Sequence, residues 1–145
     1  MCGIAGEFRF HAQPSPANDL WGVDSRGGAA DDGAGRRTML DQGMDIIAMP
    51  SAFTAIAGKA HWSILVCARA IETLCYVLAA GQGGYHVNGR ETYGHSMIVD
   101  PWGQVMNELA NGSGLVCADI GLERLKTIRR AFPVLEHRNI ICKVF

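Results

Sequence analysis

Strand patterns and a helix pattern alternate over residues 49–103, and this alternation constrains the fold of the chain more than any other feature. Residues 45–49 form a short apolar run ended by Pro50, which is typical of a buried strand. The residues from Ala60 to Leu74 predict a helix with apolar residues on two sides, and such a helix is buried between layers or at a subunit interface. Residues 75–80 predict the next strand. Strands that alternate with helices of this length indicate an α/β fold.

The sequence after residue 80 continues the alternation. Residues 81–94 are rich in glycine and predict a loop, whose details the glycines leave open. Residues 100–103 read Asp-Pro-Trp-Gly and predict a turn, because proline presets one dihedral angle and glycine tolerates the next. Asn111-Gly112 lies between two apolar runs and predicts a hairpin. The other predicted elements are a strand at 95–99, hairpin strands at 104–109 and 115–120, and an amphipathic helix at 122–131.

The first 38 residues differ in character from the rest. Residues 1–10 predict a short strand, because Phe8 and Phe10 alternate around Arg9. Residues 11–38 are rich in Gly, Ala, Asp and Pro, and they predict loop or disorder. We therefore divide the chain into a poorly ordered start at 1–38 and a domain at 39–145.

Composition excludes several classes of function. The chain has 145 residues, is 48% hydrophobic and carries a formal net charge of −1, which suits one compact domain and gives no basic surface for nucleic acid. The arginine doublets at 36–37 and 129–130 are typical of a solvated surface. Arg69 and Glu72 interrupt the longest apolar stretches, so no membrane span is predicted. The cysteine count is odd and no Cys-x-x-Cys occurs, which indicates reduced thiols in a cytoplasmic protein. The cysteines are Cys2, Cys67, Cys75, Cys117 and Cys142.

Four motifs follow one another in the order of a known family. They are PSAFT at 50–54, GKAHW at 58–62, GHSMIVDPWG at 94–103 and PVLEHR at 133–138. In this order they resemble the nitrilase superfamily of carbon–nitrogen hydrolases, over residues 40–139. The segment AIETLCYV at 70–77 looks most like the omega-amidase and deaminated glutathione amidase branch, which hydrolyses small carboxamides. The resemblance implies an incomplete half of a nitrilase-type αββα sandwich, and homo- or hetero-oligomers that form through the helix from Ala60 to Leu74.

The resemblance also implies a mechanism with three groups, all upstream of the PSAFT motif. A cysteine thiolate attacks the amide carbonyl, a glutamate moves protons, and a lysine holds the oxyanion. No lysine precedes Pro50 in this chain, and the cysteine and glutamate there are Cys2 and Glu7. Ser63 stands where the family has a glutamate, and Cys67 stands where it has an arginine. We therefore expect a truncated hydrolase without an intact triad, inactive as an isolated chain.

The part of the site that the resemblance leaves to this chain is a pocket wall. The PSAFT motif ends a strand, and strand ends are where open α/β sheets bind ligands. The implied pocket residues are Ser51, Ala52, Phe53, Thr54, His61 and Trp62. For His61 and Trp62, packing in the core at the helix start is the alternative. For His86, Arg90 and His95 we expect solvated or structural roles, because their spacing fits no metal motif, and we expect neither a metal nor a cofactor.

The first ten residues, MCGIAGEFRF, carry a second resemblance. They are similar to the start of class II glutamine amidotransferase domains, as in asparagine synthetases. There, removal of methionine exposes an N-terminal cysteine nucleophile, whose own α-amine can act as the base. This resemblance implies an alternative function, glutamine amide hydrolysis by Cys2. Two non-enzymatic alternatives also stay open: an interaction module that associates with a full-length homologue, and a gene fragment.

Overall fold

The computed structural model describes residues 43–87 and 89–137, apart from the side chain of Leu135. The elements are β1 (Ile46–Ser51), α1 (Ala55–Thr73), β2 (Tyr76–Gly81), β3 (Gly83–Tyr85), β4 (Glu91–Tyr93), β5 (Ser96–Val99), β6 (Val105–Leu109), α2 (Leu122–Ala131) and a 3₁₀ turn (Val134–His137). The main sheet has the order β1-β2-β5-β6, in which β1 and β2 are parallel and the other pairs are antiparallel. A sheet packed with helices confirms the predicted α/β class.

Some predictions fall on residues outside the described ranges. These are the strand at 1–10, the loop at 11–38 and the nucleophile Cys2. The domain boundary between residues 38 and 39 also stays a prediction, because it lies outside these ranges too.

The first strand and the helix that follows it both extend further than the sequence predicted. Strand β1 continues through Pro50 to Ser51, and Pro50 is in register with Ala80. Since β1 is the outermost strand of the described sheet, the missing proline N–H removes no ladder bond there. Helix α1 starts at Ala55, five residues earlier than predicted, and the Gly58 N–H donates to the Thr54 carbonyl over 2.8 Å. The pocket-wall residues are therefore a short connection between β1 and α1.

One side of α1 packs on the sheet. Trp62, Val66 and Ala70 of the helix form a buried cluster with four strand residues: Val77, Ala79, Met97 and Val99. The other apolar side is exposed, as Ile56 (88%), Ile64 (70%), Leu65 (41%) and Ile71 (46%) show. The expectation that both sides are buried is thus met on one side only within the described chain. No helix among the described residues is long and apolar enough to span a membrane.

The glycine-rich segment contains a hairpin that the sequence did not predict. Strands β3 and β4 pair in antiparallel fashion, with Gly84 opposite Thr92. The hairpin is held at its base by main-chain bonds from Tyr93 N–H to the Phe53 carbonyl and from Gly94 N–H to the Gln82 carbonyl, each 3.0 Å long. The bond to Phe53 is distant in sequence, so local propensity does not indicate this contact.

The predicted hairpin around Asn111-Gly112 is wrong. Strand β6 pairs with β5 across the turn at 100–103, and residues 115–120 form no strand. The buried carboxylate of Asp100 explains this choice, because its Oδ1 accepts the N–H groups of Trp102 and Gln104, each at 2.9 Å. The turn at 100–103 is confirmed by the bond from Gly103 N–H to the Asp100 carbonyl at 2.9 Å.

Helix α2 is confirmed and attaches to the end of the sheet where β1 and β2 begin. Arg129 donates to the Asp45 carboxylate (2.7 Å), the Met44 carbonyl (2.7 Å) and the Leu74 carbonyl (3.1 Å). Arg124 donates to Asp100 Oδ2 over 2.8 Å. The prediction that the 129–130 doublet is simply solvated is wrong for Arg129, whose side chain is only 25% exposed.

Candidate functional site

Four of the six predicted wall residues, those from Ser51 to Thr54, lie at the end of the sheet opposite to α2. Ser51 ends β1 in register with Gly81, the last residue of β2, and its carbonyl accepts the Gln82 N–H at 2.9 Å. Ser51, Phe53 and Thr54 are half-buried, and Ala52 is exposed. The carboxyl ends of two parallel strands thus present this connection at the position where open α/β sheets bind ligands.

The N-terminus of α1 adds a positive potential to this wall. Thr54 is the N-cap residue, and its side chain makes no capping hydrogen bond. The first turn of α1 contains no acidic residue, so the partial positive charge of the helix end is not offset there. A ligand at this wall therefore meets a hydroxyl together with a helix end that favours negative charge.

Trp62 lies behind the wall and fixes Phe53. Its side chain is 2% exposed, and its ring centroid is 5.4 Å from that of Phe53, with the planes tilted by 52°. The indole Nε1–H donates to the His95 carbonyl over 2.7 Å. The structure therefore places Trp62 in the core. His61, the next residue back along the helix, is exposed on a different side of α1.

The base of the β3–β4 hairpin packs over the start of α1. Thr54 and Thr92 form an isolated antiparallel bridge. Gly58 lies directly beneath Tyr93, so a Cβ at residue 58 would overlap the Cβ of Tyr93. Glycine is required at this close approach, which holds the hairpin next to Phe53.

His95 is held from several directions. Its φ angle is +58°, an uncommon value for a residue with a side chain. Its main-chain N–H donates to the Ala110 carbonyl, and its Nδ1 donates to the Tyr93 carbonyl, both at 2.8 Å. The imidazole stacks on the Tyr93 ring with centroids 3.8 Å apart and planes 5° apart. The structural role expected for His95 is therefore visible, and its ring has little freedom to turn.

A cavity of about 490 Å³, open to solvent, adjoins the end of β2. Ser96 lies in its wall, where its hydroxyl accepts the Gly81 N–H at 3.1 Å and approaches the Gly81 carbonyl at 3.2 Å. The sequence did not single out Ser96, and it did not predict this cavity, because three separate segments bring its lining together. The lining residues are Gly81, Gly83, Gly84, Tyr85, Glu91, Gly94, His95, Ser96, Leu109, Ala110, Asn111, Gly112 and Ser113.

The three cysteines of the described chain are poorly suited to act as nucleophiles at this wall. Cys75 is buried where β2 begins, at the opposite end of the sheet. Burial raises the pKa of the Cys75 thiol, although the nearby Arg129 guanidinium acts in the opposite direction. Burial also raises the pKa of Cys67, which is half-buried on α1, and Cys117 is exposed outside any helix or strand. A raised pKa leaves less of the reactive thiolate at neutral pH.

None of the described histidines belongs to a metal centre. Within residues 43–87 and 89–137, no group of three or more His, Cys, Asp or Glu side chains could hold a metal ion. His86 Nε2 instead lies 3.1 Å from the Thr92 hydroxyl, inside the hairpin.

The chain is similar in sequence to known proteins over most of the described residues. A sequence model of the carbon-nitrogen hydrolase family matches residues 33–130. The deaminated glutathione amidase of Homo sapiens is 53% identical over 101 residues, which is 70% of this chain and 31% of the human protein.

Solved structures of other proteins have a fold similar to that of this chain. The C. elegans NitFhit protein superposes with a TM-score of 0.68 at 43% identity, covering 72% of this chain and 25% of that protein. Saccharomyces cerevisiae Nit3, a member of branch 10 of the nitrilase superfamily, superposes with a TM-score of 0.65 at 27% identity, covering 72% and 39% respectively. The chain spans less than two fifths of the length of the curated relatives it matches.

Proposed function

The chain belongs to the carbon-nitrogen hydrolase family, and we propose that it supplies one wall of a pocket for a small carboxamide of the omega-amidase type. The observation that carries this proposal is the position of Ser51–Thr54 at the carboxyl ends of β1 and β2, beside the start of α1. The relatives named deaminated glutathione amidase support the substrate class.

The chemistry of the wall supports a substrate that carries both an amide and a negative charge. The half-buried Phe53 ring, which contacts Trp62, offers apolar contact to a short carbon chain. The Thr54 hydroxyl and the uncompensated N-terminus of α1 favour a carboxylate. Deaminated glutathione and α-ketoglutaramate combine these groups.

Hydrolysis needs more than a wall. Splitting an amide requires a nucleophile, a proton-transfer group and donors for the oxyanion. The buried thiol of Cys75 is at the far end of the sheet, and Lys126 is paired with Glu123 on α2. We therefore propose that the described residues bind and orient the carboxamide, and that the chain by itself does not turn it over.

Binding of α-ketoglutaramate tests the wall. We expect its addition to the full chain to shift the amide NMR signals of Ser51 to Thr54 in a saturable manner. Phe53→Ala should weaken binding roughly tenfold, because it removes most of the apolar contact. Phe132→Ala is the matched control, since Phe132 lies just beyond α2, where its ring contacts that of Trp102.

Two results would contradict the proposal that Ser51–Thr54 bind the carboxamide. One is a set of shifts confined to residues remote from Ser51–Thr54. The other is equal weakening by Phe53→Ala and Phe132→Ala, which would point to a general loss of structure.

We also propose that α1 mediates self-association or association with a related chain. Its outward side exposes Ile56, Ile64 and Ile71, which form an apolar surface along the length of the helix. We expect the full chain to sediment as a dimer or larger species. Ile64→Lys should raise the dissociation constant roughly tenfold or more, because a charge would enter an apolar contact.

Thr127→Lys is the control for added charge, since Thr127 is exposed on α2. Sedimentation velocity would separate the species. A monodisperse wild-type monomer at micromolar concentration would refute association through α1.

A further inference from the structure

Asn111 and Gly112 lie in an exposed bend just after β6, outside any helix or strand. Within residues 43–87 and 89–137, neither the Asn111 carboxamide nor the Gly112 N–H has a hydrogen-bond partner. Gly112 has a φ angle of +91°, and apart from its chain neighbours no atom lies within 4 Å of the position that a Cβ would take. Neither hydrogen bonds nor crowding by the described residues therefore hold the main chain at this point.

An asparagine in such a place can react with its own main chain. The nitrogen of the next residue attacks Cγ, and the new bond closes a cyclic succinimide. The bond from Cγ to Nδ2 breaks, and the side-chain nitrogen leaves as ammonia with the proton of the attacking N–H. Water then opens the ring at either carbonyl, to aspartate or isoaspartate. Water is consumed and ammonia is released, so the reaction needs no oxidant. A following glycine favours ring closure, because it has no side chain to obstruct the approach and its main chain has more freedom.

Asn107 shows how the fold restrains the same kind of side chain. It is also exposed, but it lies in β6, in register with Ile98. Its Nδ2 donates to the Cys117 carbonyl and its Oδ1 accepts the Glu108 N–H, both at 2.8 Å. That N–H belongs to the nitrogen that would have to attack. Exposure is thus common to Asn107 and Asn111, and the bonds and the following residue distinguish them.

The product of the reaction would lie on the wall of the 490 Å³ cavity, which Asn111 lines together with Glu91. Asn111 Oδ1 is close to Gly94, because a Cβ on Gly94 would lie 2.8 Å from it. A carboxylate at residue 111 would add negative charge to this wall and remove the two donors of the carboxamide. Isoaspartate would also lengthen the main chain next to Ala110, whose carbonyl accepts the His95 N–H at 2.8 Å.

We propose that Asn111 is a site of spontaneous deamidation, at which the Gly112 nitrogen displaces ammonia and a carboxylate is left on the wall of the cavity. This modification is separate from the binding role of Ser51–Thr54 and needs no substrate. The ammonia released is limited to one molecule for each Asn111, which distinguishes it from enzymatic turnover.

Incubation of the full chain at pH 6 and at pH 8, followed by proteolysis after glutamate and mass spectrometry, tests the proposal. Cleavage after Glu91 and Glu108 separates Asn111 from Asn107 and from Asn88, which belongs to the other Asn-Gly pair of the chain. We expect conversion of Asn111 to aspartate and isoaspartate roughly tenfold faster than that of Asn107, or more. The rate should be higher at pH 8, because the attacking nitrogen has to give up its proton.

Asn111→Gln keeps a carboxamide but would have to close a larger ring, so conversion at residue 111 should fall roughly tenfold or more. Asn107→Gln is the matched control, and it should leave conversion of Asn111 unchanged. The comparison of Asn111 with Asn107 within the wild-type chain does not depend on either variant folding. The proposal is overturned if Asn111 is converted no faster than Asn107, or if residue 111 is converted equally fast in Asn111→Gln.

Discussion

Trp62→Ala should lower the free energy of unfolding by about 3–5 kcal/mol, the usual range for removing a fully buried large aromatic side chain. Trp62 is 2% exposed, and its indole is the contact between α1, the sheet and Phe53. The substitution would also leave the His95 carbonyl without its donor. Chemical denaturation followed by circular dichroism would measure the change.

Two further variants separate the causes of this loss. Trp62→Phe keeps most of the apolar area and removes the N–H donor, so it should cost about 1–3 kcal/mol. Trp102→Ala is the surface control, because Trp102 is 58% exposed, and it should cost less than Trp62→Phe. A similar loss in Trp62→Ala and Trp102→Ala would show that Trp62 is not a core residue.

Arg129→Met should lower the free energy of unfolding by about 3 kcal/mol, because it removes the donors to one carboxylate and two carbonyl groups. Asp45 and the Met44 carbonyl precede β1, and the Leu74 carbonyl follows α1. Leu74 has a φ angle of +47°, so the end of α1 is held in a left-handed conformation next to this guanidinium. Loss of Arg129 therefore loosens three segments at once.

Arg130→Met is a closely matched control for this variant. It removes the same charge from the adjacent position of α2, where the side chain is exposed. Its effect on the unfolding midpoint in urea should be small, within about 0.5 kcal/mol. Equal effects of the two substitutions would mean that overall charge, rather than the bonds of Arg129, stabilises the fold.

The sequence indicated the central part of the fold because its signals there are local and strong. The continuous apolar run before Pro50 predicted a buried strand. The spacing of Trp62 and Val66 predicted a buried side of α1, because burial of one side of a helix imposes such a spacing. The exposure of Ile64 was not foreseen, since periodicity shows that a surface is apolar and does not show what covers it.

Two errors have a common physical cause. Two of the three residues of β3 are glycines, and the base of the β3–β4 hairpin is bonded to Phe53, which lies far away in sequence. The choice between two turn signals, at 100–103 and at Asn111-Gly112, depends on the buried Asp100 carboxylate and its bond to Arg124. Neither the Tyr93–Phe53 bond nor the Arg124–Asp100 bond leaves a local pattern in the sequence.

The candidate site was foreseen only where a motif marks it. The PSAFT motif located Ser51 and Phe53 at a strand end, and the structure shows that end next to β2. His95 Nε2 lies 3.9 Å from Glu108 Oε1, and this approach depends on the register of β5 against β6, in which Met97 is opposite Glu108. Register is set by the turn at 100–103 and by side-chain packing, so no local pattern indicates this contact.

Ammonia release is the most direct test of the claim that the described residues form a substrate wall without a working nucleophile. The purified full chain would be incubated with α-ketoglutaramate and with glutamine, beside Cys2→Ala. We predict no release above the buffer blank from either protein. Release from glutamine that disappears in Cys2→Ala would establish the alternative amidotransferase-type reaction, and release from α-ketoglutaramate that persists in Cys2→Ala would contradict the account directly.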